Sequence, residues 1–402
     1  MRPTSLTSRE PSAPSLAPPL AHSAQPALPG RLRRALWRVL PLMGGLHAYI
    51  GWCLLPSLDL HPAALALAIA GLALSACLVP LGLLGRFVTD NPALADRLSW
   101  LGSLAMGLFS SVLVLTLLRD VGLLLAGAPF LAQPTALAVV TAAGLFTLFG
   151  YVNARRVARI VRVEVPLADL PPELEGFTIV QLSDIHVGPT IKRDYVQAIV
   201  DRVNGLEADL VAITGDVVDG SVEHLREHTA PLGQLRSRHG SYFVTGNHEY
   251  YSGAGAWMAE FARIGLKGLH NGHTVIAHHG ARLVLAGVTD YSAGAFDAAQ
   301  ASDPAAALAG SPPGLTRILL AHQPRSAPAA AAAGFDLQLS GHTHGGQFWP
   351  WNFFVPLQQP FTAGLHRLGR LTVYTSRGTG YWGPPKRLGA PSEITVLRLV
   401  KA

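Results

Sequence analysis

Cysteine, methionine and charge are all scarce in this chain: its 402 residues include two cysteines, four methionines and 14% charged side chains. Cys53 and Cys77 fall inside long apolar stretches, which excludes a disulfide framework and a cysteine-ligated metal site. The soluble part of the chain therefore suits a reducing compartment. Acidic residues are fewer than basic ones, 25 against 31, giving a formal net charge of +6 and a pI near 9.5. That excess does not point to nucleic acid, and none is expected as a partner. Much of it sits in two arginine clusters, Arg31, Arg33, Arg34 and Arg38, then Arg155, Arg156, Arg159 and Arg162, which flank an apolar block as topology determinants and anionic-lipid contacts do. Apolar residues, by contrast, make up 49% of the chain with a mean hydropathy of +0.31, too much for one ordinary soluble domain.

The excess is unevenly placed. Residues 1–30 are rich in Pro, Ser and Ala with almost no aliphatic periodicity, so this tail is expected to be disordered. Residues 31–162 hold four uncharged apolar runs, at 39–55, 63–84, 98–118 and 134–152, each long enough for a transmembrane helix of about 20 residues. They are apolar all round rather than striped, which separates them from helices of a soluble core. Val121 to Gln133 is apolar too, but there is no room for another full span before Asn153, so it reads as a loop or re-entrant segment. With Arg86 and Arg97 between the second and third runs and no Lys or Arg at 56–62, the positive-inside rule puts both termini and everything after residue 162 in the cytoplasm. Arg119 alone is on the wrong face. A cleaved leader fits poorly, because three more spans follow the first. Apart from His47, read as a helix-packing residue, the runs lack the ionisable groups that a channel or transporter needs.

Residues 163–402 alternate short strand-like and helical stretches. Strands are expected at 177–182, 209–214, 242–245, 282–288, 317–321, 337–340, 371–376 and 394–399, with helices at 193–206 and 256–264. This is an α/β pattern, which places functional residues beyond the carboxyl ends of strands. There the chain has Asp184 and His186, Gly215-Asp216 with Asp219, Gly246-Asn247-His248-Glu249, His322, and His342 and His344. Aspartate, asparagine and histidine are oxygen and nitrogen ligands for hard or borderline divalent cations. One such pair is a weak signal, but five in this order point to a binuclear metal site.

That order, with Gly341-His342-Thr343-His344-Gly345-Gly346-Gln347, Ser376-Arg377-Gly378-Thr379-Gly380 and Pro391-Ser392-Glu393-Ile394, resembles the calcineurin-like metallophosphoesterase superfamily, in particular its membrane-associated bacterial branch. The resemblance covers the whole soluble part. It implies a four-layer α/β/β/α sandwich and two divalent cations. Asp184, His186 and His344 would hold one, Asn247, His322 and His342 the other, and Asp216 would bridge them. Manganese is favoured, with iron or zinc as alternatives. In such sites a metal-bridging hydroxide attacks phosphorus, His248 assists the leaving group, and Asp219 holds His248. The protein-phosphatase members carry an arginine where this chain has Gly220, which argues against a phosphoprotein substrate.

Some members of the membrane branch act on UDP-diacylglucosamine. The aromatic residues Phe348, Trp349, Trp351, Phe353, Phe354 and Phe361 follow the last motif and either cover a sheet edge or meet acyl chains. The expectation is a bacterial inner-membrane hydrolase of a phosphodiester or pyrophosphate, with a lipid-linked substrate favoured over soluble nucleotides. A non-catalytic scaffold is disfavoured because neither His248 nor Asp216 has been lost.

Overall fold

A computed structural model describes residues 30–89 and 91–402; apart from Gly30, the tail expected to be disordered lies outside them. Four long helices come first: α1 (Gly30–Leu54), α2 (Pro62–Val88), α3 (Pro92–Ala126) and α4 (Ala132–Arg155). All four are long and apolar enough to cross a membrane. The start of α3 is set by Asn91, whose side chain accepts from the N–H groups of Ala93 and Leu94 ahead of Pro92. Val121 to Ala126 do not form a loop. Their leucines and alanine continue α3 until Gly127, at φ 58°, ends it, and only the few residues before α4 make the turn.

Lipid-facing character is evident from what stays uncovered: Trp52, Leu67, Leu124, Leu125 and Leu148 are all exposed. Inside the bundle, α2 and α3 approach so closely at Gly82 and Gly102 that a Cβ on either would run into the other's backbone. Gly102→Val is therefore expected to push these helices apart and cost about 1–3 kcal/mol. A thermal melt of the detergent-solubilised chain that matched the parent would contradict this. His47 donates through Nδ1 to Met43 O (2.8 Å), pairs through Nε2 with Ser75 Oγ (3.0 Å) and stacks on Phe109, as a packing residue does. Arg119, the wrong-face arginine, is buried within α3 with Asp120 at 2.8 Å, and it also donates to Thr135, Ser57 and the carbonyls of Cys53 and Ala132. Its charge is paired with the Asp120 carboxylate.

Beyond α4 the chain forms twelve strands. They are β1 (Arg159–Leu167), β2 (Thr178–Leu182), β3 (Leu210–Ile213), β4 (Ser241–Phe243), β5 (Lys267–Gly268) and β6 (Gly272–His278). The rest are β7 (Ala281–Gly287), β8 (Thr316–Leu320), β9 (Leu337–Ser340), β10 (Gly364–Leu368), β11 (Leu371–Thr375) and β12 (Glu393–Lys401). Interleaved are α5 (Arg193–Asn204), α6 (Val222–Thr229), α7 (Asn247–Ser252), α8 (Ala254–Arg263), α9 (Pro304–Leu308) and α10 (Ala327–Ala333). Two six-stranded mixed sheets result, ordered β1-β12-β2-β3-β4-β5 and β10-β11-β9-β8-β7-β6.

Alternation along the strands divides the core into three layers of side chains. Ile179, Leu210 and Ala212 face Leu285, Ile318 and Leu337 between the sheets. Val180, Val211 and Ile213 face outward onto Val196 and Ile199 of α5 and Trp257 and Phe261 of α8. Leu319 and Val373 meet Ala327 and Ala330 of α10 on the far side. This is the expected α/β/β/α sandwich, built on strands buried on both faces.

Candidate metal centre

The nine residues singled out from sequence all lie just past strand ends at the junction of the two sheets. Asp184 and His186 follow β2, Asp216 and Asp219 follow β3, and Asn247 and His248 open α7 after β4. His322 follows β8, and His342 and His344 follow β9. Asp184, His186, Asp216, His342 and His344 all have positive φ, between 51° and 69°. A left-handed backbone at five non-glycine residues is costly, and such strain gathers at functional sites. Gly246 is required for the opposite reason. A side chain there would collide with the Asp216 carboxylate, so the β4 turn can approach only as glycine.

Three groups of ligand-type atoms result, one of which, His186, Asp216 and His248, joins the other two. Asp184, His186 and His344 form one, with Nε2 of His344 3.5 Å from Asp184 Oδ1 and 3.0 Å from His186 Nε2. Asp216, His322 and His342 form the other, with His322 Nε2 3.1 Å from Asp216 Oδ2 and 3.2 Å from His342 Nδ1. The same Asp216 oxygen lies 3.9 Å from His186 Nε2, so this carboxylate stands between the two groups. Burial opposes charge on His322, but the Asp216 carboxylate outweighs it and holds the imidazole well above its ordinary pKa. The same balance leaves Asp216 well below the usual carboxylate range, burial notwithstanding. His342 goes the other way, lowered to about 3 by burial and by the charge of His322. Asn247 leaves Oδ1 buried with no hydrogen-bond partner.

His248 borders this cluster. Its Nδ1 is 2.6 Å from Asp219 Oδ1, and its Nε2 is 3.9 Å from Asp216 Oδ2. Burial lowers its pKa, but the hydrogen bond to Asp219 and the Asp216 charge prevail and hold it at about 9. The same Asp219 oxygen also lies 3.0 Å from Nδ1 of His186, a second contact that sequence spacing did not suggest. Glu249, noticed only as part of a motif, accepts from the backbone N–H groups of Gly246, Asp216, Val217 and Val218. Burial and the Asp216 charge raise its pKa to about 7. It ties the β3 and β4 turns into one unit.

Residues 177–346, which contain every one of these turns, match the family described as calcineurin-like phosphoesterase. A metallophosphoesterase of Aquifex aeolicus is 30% identical over 244 residues, which are 60% of this chain and 91% of that protein. The chain belongs to the calcineurin-like metallophosphoesterases. Its membrane helices have counterparts in name: a bovine (Bos taurus) "Transmembrane protein with metallophosphoesterase domain" is 44% identical over 283 residues, 68% of this chain and 64% of that one. A metallophosphoesterase of Helicobacter pylori is 40% identical over 60% of this chain and 64% of its own length. The match thus spans just under two thirds of the bovine and Helicobacter proteins.

In this metallophosphoesterase the segment between β11 and β12 adds residues that sequence reasoning missed. Arg387, fully buried, donates to the carbonyls of Gly380, His344, Arg377 and Ala390, and lies 3.0 Å from His344 Nδ1. Burial first, then the Arg387 charge, hold His344 well below its ordinary pKa, in the neutral form that ligates metals. Burial lowers Arg387 itself to about 10. Lys386, next to it, is buried between α3 and α4, donating to Gly107 O (2.9 Å), Thr147 Oγ1 (3.1 Å) and Ser111 Oγ. Trp382 packs edge-on against His248 at 5.6 Å. Of the aromatic residues after His344, Phe348 is buried and Phe361 packs on the outer core, whereas Trp351, Phe353 and Phe354 remain exposed.

Proposed function

We propose that this chain is a membrane-anchored binuclear-metal phosphodiesterase, acting on a phosphodiester or pyrophosphate whose other end is lipid. The observation that carries the reading is the placement of Asp216 between two buried three-residue groups, with His248 beside them on Asp219. The donor set fits two divalent cations. Every group offers carboxylate oxygen and imidazole nitrogen, and Asn247, next to the Gly246 that lies against the Asp216 carboxylate, leaves an unpartnered Oδ1 as a further oxygen donor. Asp184, His186 and His344 would hold one cation, Asn247, His322 and His342 the second, and Asp216 both, with manganese favoured. When bound, the ions supply Lewis-acid polarisation of the phosphoryl group and an activated water.

The chain's own contribution is proton handling and alignment. His248 stands on the mouth of the cluster with its Nδ1 held by Asp219, placed to deliver a proton to a leaving alkoxide. Asp219 fixes that imidazole through Nδ1, which leaves Nε2 free to face substrate. Trp382 and Tyr251, both in edge contact with His248, flank the approach.

Arginine placement supports a catalytic unit from about residue 163 on the cytoplasmic side of a bacterial inner membrane, behind a span region at 31–162 and a tail at 1–30. Tethering argues for lipid, since a soluble nucleotide could be reached without four membrane helices. Two tests apply. Chelation of the purified full-length chain should abolish hydrolysis of bis(p-nitrophenyl) phosphate, and manganese should restore it. At a hundredfold excess over its Kd, manganese should also stabilise the fold by about 2.7 kcal/mol. Chelator-resistant turnover, or a melt indifferent to manganese, would refute the metal reading. Cleavage of soluble diesters with none of detergent-dispersed lipid diesters would refute the lipid preference.

A further inference from the structure

The segment from Trp349 to Leu357 leaves the metal centre and leans on the membrane helices while its apolar side chains stay bare. Trp351, Phe353, Phe354 and Leu357 are 45%, 66%, 51% and 81% exposed, in and beside two short turns that follow His344 closely in the chain. Rings meant to cover a sheet edge would be buried, as Phe348 is. The location of these rings is fixed by two contacts: Trp351 Nε1 donates to Ser110 Oγ on α3 at 3.0 Å, and Trp349 packs edge-on against Phe146 of α4.

Those contacts set a depth. With a rise of about 1.5 Å per residue, Phe146 lies about 9 Å inside the end of the α4 apolar run at Val152, and Ser110 about 18 Å inside the start of the α3 run at Leu98. Even the shallower figure reaches the depth, about 5–10 Å, at which interfacial apolar groups sit in the headgroup and acyl boundary. The exposed rings are therefore level with hydrocarbon. The other lip of the metal centre reaches the same level. Gln347 Nε2 donates to the carbonyls of Trp382 and Pro384, Pro384 lies against Gly107, and Lys386 follows into the groove between α3 and α4.

We infer that Trp351 to Leu357 is immersed in the bilayer surface and that the metal centre takes its diester directly from that leaflet, the acyl chains never leaving the membrane. The route of the substrate, though not the immersion, rests on the phosphodiesterase reading. Lipid is the occupant because the patch is continuous with the lipid-facing surfaces of α3 and α4, where Leu108, Leu145, Leu148 and Phe149 are exposed as well.

The test uses the full chain with Cys53 and Cys77 replaced by serine, reconstituted in phosphatidylcholine/phosphatidylglycerol nanodiscs. A fluorophore on Phe353→Cys should be quenched by doxyl groups on the acyl chains at least about threefold more than one on Asp169→Cys, which lies past the end of β1, a strand that leads away from α4. Equal quenching at both positions would overturn the immersion. In the same discs, the Phe353→Asp/Phe354→Asp double variant should lose at least about tenfold in turnover of a p-nitrophenyl ester of phosphatidic acid, yet stay within about twofold of the parent on bis(p-nitrophenyl) phosphate. Parallel loss on both substrates, or on neither, would overturn the leaflet route. Strong quenching with no turnover of either ester by the parent would support the immersion and refute the phosphodiesterase reading instead.

Discussion

Asp216→Ala should abolish metal-dependent turnover by the full-length chain, with kcat/KM falling at least about 10³-fold, or about 4 kcal/mol of transition-state stabilisation. Its carboxylate faces both ligand groups: Oδ2 lies 3.1 Å from His322 and 3.9 Å from both His186 and His248. Removing it weakens two sites at once. Metal content should fall with activity. His248→Ala provides the contrast, since this side chain is placed for proton transfer rather than ligation. It should keep its metal, lose about 10²–10⁴-fold on a dialkyl diester, and lose much less on bis(p-nitrophenyl) phosphate, whose leaving group needs no proton. Metal analysis and the two substrates together decide the matter. An Asp216→Ala chain that retained both metals and activity would sink the bridging role, and equal losses of His248→Ala on both substrates would sink the acid.

Arg387→Met should cause the largest loss of stability. The guanidinium is fully buried and serves three backbone carbonyls in the long segment between β11 and β12, besides the carbonyl and Nδ1 of His344. Methionine fills part of the volume but leaves those acceptors without donors, each a buried group costing about 1–3 kcal/mol when unsatisfied. Relaxation and water entry will recover part of this, so a net loss of about 4 kcal/mol is expected. For a domain of this size that lowers the melting temperature by about 8–16 °C. Arg387→Lys keeps the charge but not the planar fork, so it should fall between. A melt by intrinsic tryptophan fluorescence in detergent decides it, and a shift below about 2 °C would refute the assignment.

Legibility followed burial. The eight strands expected from sequence all form, and the four that were not anticipated, β1, β5, β6 and β10, are the four edges of the two sheets. Edge strands are half-solvated, so theirs are the sequences without continuous apolar runs. β1 was further disguised because its arginines, Arg159 and Arg162, look like part of the cluster that ends the last span. The ligand-type residues were legible because each follows a buried strand by two to four residues, where a short motif and its position coincide. Arg387 and Lys386 were not, since they belong to an irregular segment whose partners, His344 and α3, are brought near only by the finished fold. The partners of Arg119 were not legible either, since Asp120 and the carbonyls of adjoining helices gather around it only in the folded bundle.

The position of β12 has a consequence for how the protein is made. This strand lies between β1 and β2, pairing Arg159 with Glu393 on one side and Gln181 with Thr395 on the other. Until it emerges from the ribosome, the sheet has a slot one strand in from its edge, bounded by the unpaired edges of β1 and β2, beside a membrane already threaded by four helices. Pairing over such a sequence separation is slow, and open edges attract other chains. Biogenesis of this protein is therefore a race between insertion of one late strand and aggregation at the membrane surface, which makes the interval between span insertion and β12 synthesis the time at which chaperones matter most.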